Sequence, residues 1–101
     1  MADKVKVAKA SELQEGTGLQ VQAGDKTLAV FKCGGQFYAL YGICPHRGGP
    51  LGEGMLQGGK ITCPWHGWTF DVKTGVHAMN PGIKQPSYPV TVEGDDLYVT
   101  I

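Results

Sequence analysis

The sequence predicts an all-β chain: an antiparallel β sandwich or barrel base with a small β lobe inserted at one end. Three observations carry that expectation. Short runs alternate apolar and polar residues before Tyr41 and again after Ser87. Sixteen glycines in 101 residues punctuate the chain with turns. No stretch carries the period of a long helix, and no segment repeats.

Lys4 to Ala8 reads Lys-Val-Lys-Val-Ala, a short half-buried strand. Ala10 to Leu13 suits a single helical turn capped by Ser11. Gly16 and Gly18 bracket a turn. Leu19 to Ala23 then alternates, and Gly24-Asp25 turns the chain into a strand from Thr27 to Cys33. Gly34-Gly35 makes a second tight turn before Gln36 to Leu40, rich in strand formers. These three strands form a meander.

The texture changes at Gly42, and from there to Gly82 the chain is dense in Gly, Pro, Cys, His and Trp. Within this insertion, Gly54 to Gln57 and Lys60 to Thr62 suit two short strands joined at Gly58-Gly59. Trp68 to Val72 suits a third, turned by Lys73-Thr74-Gly75. Asn80-Pro81-Gly82 is expected to fold as a loop over the insertion's chemistry. Strand texture returns as one alternating run from Tyr88 to Glu93, a turn at Gly94-Asp95, and a last run from Asp96 to Ile101. The expected division is one domain, residues 1–101. Its base comprises residues 1–41 and 83–101, and its inserted lobe residues 42–82. Contact between the meander and the C-terminal hairpin is expected to close the base.

Bulk properties narrow the function classes. The chain length supports one modest core. Nine basic and nine acidic residues leave a formal charge of zero, which offers no basic face for nucleic acid or an anionic membrane. No apolar run is long enough to span a bilayer, and Met1-Ala2-Asp3-Lys4 does not begin a signal peptide. A cytoplasmic location is expected.

Two stretches in the insertion concentrate metal-binding side chains: Cys44-Pro45-His46-Arg47-Gly48-Gly49-Pro50-Leu51 and Cys63-Pro64-Trp65-His66-Gly67-Trp68. Each offers one thiolate and one imidazole. With Cys44 and Cys63 assigned as ligands, only Cys33 is left, so no intramolecular disulfide is expected. Cys₂His₂ is a zinc ligand set, and a zinc-stapled interaction module is one reading. Zinc fingers, however, usually pair Cys with Cys and His with His. Mixed pairs suit a binuclear cluster in which one iron takes Cys44 and Cys63 and the other takes His46 and His66. Gly48, Gly49 and Gly67 would let backbone approach the sulfides, while Pro45 and Pro64 stiffen the turns.

The spacing Cys-x-His, sixteen residues, Cys-x-x-His resembles the Rieske [2Fe–2S] family. The resemblance covers nearly the whole chain. Tyr38-Ala39-Leu40 is similar to the family's approach strand and Trp68-Thr69-Phe70-Asp71 with Thr74-Gly75 to its exit. Tyr88-Pro89-Val90 with Gly94-Asp95-Asp96-Leu97-Tyr98-Val99 is similar to its closing hairpin. The resemblance implies a Rieske-like fold, in which the inserted lobe binds one [2Fe–2S] cluster through Cys44, His46, Cys63 and His66.

Such a cluster carries one electron. Two thiolates cancel the +2 charge of the oxidised core when both imidazoles are neutral, whereas four would leave it at −2. Reduction is therefore easier, and the added electron is expected on the His-bound iron. An outer imidazole N–H facing solvent would couple that electron to a proton at alkaline pH. High-potential members of the family carry an extra Cys in each loop, forming a disulfide, and a Ser and a Tyr that bond the cluster sulfurs. Here the corresponding positions hold Gly49, Trp65, Trp68 and Phe70. The resemblance thus implies a low potential, on the order of −150 mV.

The expected protein is a monomeric ferredoxin, not an enzyme. It resembles the ferredoxin component of bacterial aromatic-ring-hydroxylating dioxygenase systems, which passes electrons from a flavin-dependent reductase to a terminal oxygenase. The alternative is the small Rieske subunit of an NAD(P)H-dependent assimilatory nitrite reductase. A Rieske domain cut from an oxygenase subunit is a third reading; a start at Met and a final complete strand are expected to argue against it. A mononuclear iron domain, with its two-His, one-carboxylate set, is not expected.

Other residues receive plainer readings. Trp65 and Trp68 are expected to shield the cluster by packing, with docking as the alternative for Trp65. Arg47 is either a solvated loop charge or a group that steers an acidic partner. Cys33 reads as a small packing residue. His77 reads as an ordinary surface residue. Glu53 and Asp71 are assigned no role.

Overall fold

The computed structural model describes residues 4–24, 26–43, 49–65, 67–80 and 82–100. Ten strands occur among them: β1 (Lys4–Lys9), β2 (Thr17–Ala23), β3 (Lys26–Cys33), β4 (Gln36–Tyr41), β5 (Met55–Gln57), β6 (Lys60–Thr62), β7 (Thr69–Asp71), β8 (Ser87–Tyr88), β9 (Val90–Glu93) and β10 (Asp96–Thr100). All strand pairs are antiparallel. The sheets run β1-β10-β9, β2-β3-β4-β8 and β5-β6-β7. This is the expected all-β sandwich base with an inserted β lobe. No helix among the described residues is long and apolar enough to cross a membrane.

The meander β2-β3-β4 forms as its turns dictate. Gly34 and Gly35 both take positive φ, 62° and 78°, a geometry L-residues with a Cβ resist. The Glu15 carboxylate accepts the N–H groups of both glycines, at 2.7 and 2.9 Å, fastening the turn to the start of β2.

β3 holds the two halves together. Because side chains alternate across a strand, Leu28 and Val30 point to one face and Ala29 and Phe31 to the other, and all four are buried. Leu28 and Val30 join Leu13, Ala23, Ala39, Leu97 and Val99 in the core of the base, between the first two sheets. Ala29 and Phe31 join Leu40, Leu51, Ile61, Cys63, Phe70 and Val72 beneath the inserted lobe. One strand therefore supports the base on one face and the lobe on the other.

Two local expectations are corrected. The run from Tyr88 to Glu93 is two strands in different sheets: β8 pairs with β4, and β9 pairs with β10. Pro89 separates them, since it has no N–H to continue a ladder, and the chain crosses between sheets there. Ser11 does not cap the 3-10 turn Ala10–Glu12 but lies within it. Its hydroxyl and backbone N–H both donate to the Asp95 carboxylate, tying the turn to the C-terminal hairpin.

Candidate metal centre

Cys63 follows β6 directly and is buried. The loop it opens closes on itself: Cys63 N–H donates to Trp68 O at 2.7 Å, and Gly67 N–H donates to Cys63 O at 3.2 Å. β6 and β7 pair on either side, with Thr62 opposite Thr69. The hairpin thus presents its Cys63 thiol toward the core.

The first loop is pinned at its neck. Ile43 and Pro50 form an antiparallel bridge, and Leu51 N–H donates to Gly42 O at 2.9 Å. Leu51 is buried in the same core as Cys63. Gly49 brings the two loops together. A Cβ there would stand 2.7 Å from Cys63 Sγ and 3.0 Å from Trp65 Cγ. Only a residue without a side chain lets the first loop's backbone lie against the second loop's sulfur.

Cys63 is the one expected ligand among the described residues. Cys44, His46 and His66 lie outside them, as do Pro45, Arg47, Gly48 and Pro81. Among the described residues no group of three or more His, Cys, Asp or Glu is arranged to hold a metal ion.

The aromatic residues divide. Trp68 packs against the lobe core, as expected, and Phe70 is fully buried within it. Trp65, in the turn after Pro64, is 52% exposed and lies beside the Gly49 backbone. Cys33 is partly buried against the lobe core, as a packing residue should be.

His77 is corrected from a surface residue to a buried one, 7% exposed. A bridge to Phe70 draws it inward, where its ring stands nearly perpendicular to Trp68 and Phe70, with centroids 4.8 and 5.2 Å away. Its Nδ1 accepts the N–H groups of Met79 and Asn80, at 3.0 and 3.1 Å. The ring proton therefore sits on Nε2, which is buried without a hydrogen-bond partner among the described residues. Ala78 N–H donates to Thr69 O at 2.8 Å, so the loop carrying Asn80 is stapled to the exit of the loop that Cys63 opens.

Two glutamines escaped the sequence reading. Gln85, 3% exposed, donates its side-chain amide to Tyr41 O at 2.8 Å and to Ile43 O. Gln20 Nε2 donates to Gly42 O at 2.9 Å, and its Oε1 accepts Gly52 N–H at 2.7 Å. No motif marks either residue, because their partners are brought close only by the fold.

The donor chemistry fits an iron–sulfur group: a buried thiol from one loop, with glycine backbone of the other against it. The Rieske [2Fe-2S] domain family matches residues 3–92. Ferredoxin CarAc of Metapseudomonas resinovorans is 40% identical over 97 residues, covering 94% of this chain and 91% of its own. Human apoptosis-inducing factor 3 is 35% identical over 94 residues; they are 92% of this chain but only 16% of that protein's length. A solved complex of reduced oxygenase and oxidized ferredoxin in carbazole 1,9a-dioxygenase contains a chain similar at TM-score 0.85 and 40% identity, covering 95% of this chain and 91% of that one. A putative NADH-dependent nitrite reductase small subunit from Mycobacterium tuberculosis shares the fold at TM-score 0.89 and 21% identity, over 100% of this chain and 96% of its own. The chain belongs to the Rieske [2Fe-2S] domain family and is an electron carrier with one Rieske-type [2Fe–2S] cluster as its cofactor.

Proposed function

We propose that this chain is a monomeric cytoplasmic ferredoxin of low potential. It takes single electrons from a flavin-dependent reductase and delivers them to the terminal oxygenase of an aromatic-ring dioxygenase system. Similarity to a carbazole-system ferredoxin along nearly the full length of both chains supports the partner class. The nitrite reductase likeness, at 21% identity, extends to the fold alone.

In this reading Cys44 and Cys63 supply the two thiolates and His46 and His66 the two imidazoles. The single observation that carries it is the contact between Cys63 Sγ and the Gly49 backbone, which sets the two loops face to face. When bound there, a [2Fe–2S] cluster supplies a one-electron couple. Cys63, buried among Leu51, Ile61 and Phe70, keeps its thiolate side away from water. Trp65, half exposed beside His66, offers an aromatic contact for a partner at the loop tip. The division into a base (1–41 and 83–101) and a ligand-bearing lobe (42–82) is part of the same reading, supported by two separate cores that share β3.

The test is direct. Purified protein should be coloured and contain iron and acid-labile sulfide in equal amounts. Its reduced state should give an EPR signal with average g below 2. His46→Cys or His66→Cys should lower the midpoint or lose the cluster. An unchanged midpoint in a cluster-bearing variant contradicts the ligand set, and a colourless zinc protein contradicts the cofactor. Reconstitution with a reductase and a dioxygenase terminal component tests the partners.

A further inference from the structure

The strand pairing leaves a gap beside the first ligand loop. β8 continues the ladder along β4, with Ala39 opposite Tyr88 and Leu40 opposite Ser87. One step further, Tyr41 N–H donates to Pro86 O at 2.8 Å. An antiparallel pair would return a second bond, from residue 86 N–H to Tyr41 O. Pro86 has no N–H to give. The Gln85 side chain supplies the missing donor to Tyr41 O and reaches Ile43 O, the next carbonyl on the same edge. A side chain thus carries the ladder to the residue that precedes Cys44.

Gln20 works from the other side. Its amide joins the incoming arm of the loop at Gly42 to the outgoing arm at Gly52. The fit is close: a Cβ on Gly42 would lie 2.8 Å from Gln20 Nε2, and one on Gly52 2.6 Å from Gln20 Oε1. An apolar side chain would fill either site without the desolvation cost of an amide. What the amides add is directional bonding: three of the four described bonds end on the two arms of one loop, and the fourth on Tyr41, the last residue of the strand that leads into it.

We propose that Gln20 and Gln85 are positioning residues of the electron-transfer site: together they set where the two arms of the first ligand loop, at Tyr41–Ile43 and at Gly52, stand relative to Cys63. The inference rests on the ligand set proposed above. Three measurements test it in the cluster-loaded protein: the rate of cluster loss to a chelator well below the melting temperature, the midpoint potential, and the g-values of the reduced state. Gln85→Met and Gln20→Met keep the side chain's bulk and remove its hydrogen bonds. Each should lose its cluster about tenfold faster, the scale of a lost buried hydrogen bond, with shifted g-values. Gln57→Met, on the exposed β5–β6 hairpin, should match the unmodified protein. A lowered melting temperature with unchanged cluster loss and g-values would overturn the proposal. Should Gln85→Met fail to fold, Gln20→Glu decides: it keeps an acceptor for Gly52 N–H but has no donor for Gly42 O, and unaltered cluster loss there overturns the proposal. If the unmodified protein holds no iron or sulfide, the ligand reading fails separately. Amide exchange at Leu51 and Gly52 then tests the clamp, which requires about tenfold faster exchange in Gln20→Met; equal rates refute it.

Discussion

Gly49 lies so close to Cys63 that a Cβ on the glycine would stand 2.7 Å from the cysteine Sγ. The same Cβ would be 3.1 Å from Trp65 Cβ. Disulfide-bonded cysteines hold their Cβ atoms roughly 3.5–4.5 Å apart. Positions 49 and 65 are therefore neighbours, close to the separation at which two cysteines could be bridged. In this chain the same space admits glycine backbone and an outward-turned tryptophan.

Gly49→Ala should therefore damage the centre more than the fold. Overpacking of this kind costs about 1–3 kcal/mol, and here the yielding atoms belong to the ligand loops. Iron and labile sulfide per chain should fall severalfold, while far-UV circular dichroism stays near that of the unmodified protein. Full cluster content in Gly49→Ala would show that the loops can part without cost.

The midpoint potential should be negative, on the order of −150 mV. Trp68 and Phe70 carry no hydroxyl to bond a cluster sulfur; Phe70 is fully buried and Trp68 packs on the lobe core. Redox titration followed by visible absorbance decides this, and a midpoint well above zero contradicts it.

His77→Leu should destabilise the protein by about 1 kcal/mol, since Nδ1 no longer accepts the Met79 and Asn80 N–H groups. The cost is modest because both donors belong to exposed residues that water can reach. His77→Asn keeps a side-chain acceptor at a similar reach and should lose less. Urea unfolding midpoints compare the two.

Glu15 makes the β3–β4 turn sensitive to acid. The Gly35 N–H, then the Gly34 N–H, hold its carboxyl below the ordinary value of 4.5, with Lys32 adding a smaller pull. A depressed carboxyl stabilises the folded state above its unfolded value, and that stability is lost as pH falls through the lower folded value. Urea midpoints of the unmodified protein and Glu15→Ala should differ at neutral pH and converge as the pH drops below about 4. A difference that persists at low pH would mean that the charge is not what fastens the turn.

Much of this molecule was legible in its local pattern. Alternation placed most strands within a residue or two, and paired glycines marked the turns, because strand period and left-handed backbone are properties of a few adjacent residues. The spacing of the Cys-His pairs disclosed the family and with it the cofactor, since that pattern is carried by a few residues along the chain. The tertiary structure alone decided what depends on distant partners. It divided Tyr88–Glu93 between two sheets at Pro89, gave both faces of β3 a core, and turned Trp65 outward. It also buried His77, Gln85 and part of Gln20, three polar side chains whose positions announce nothing along the chain. A buried polar group is tolerable only where its hydrogen bonds are met. For Gln85 they are met by backbone more than forty residues away, so only the folded chain could reveal it.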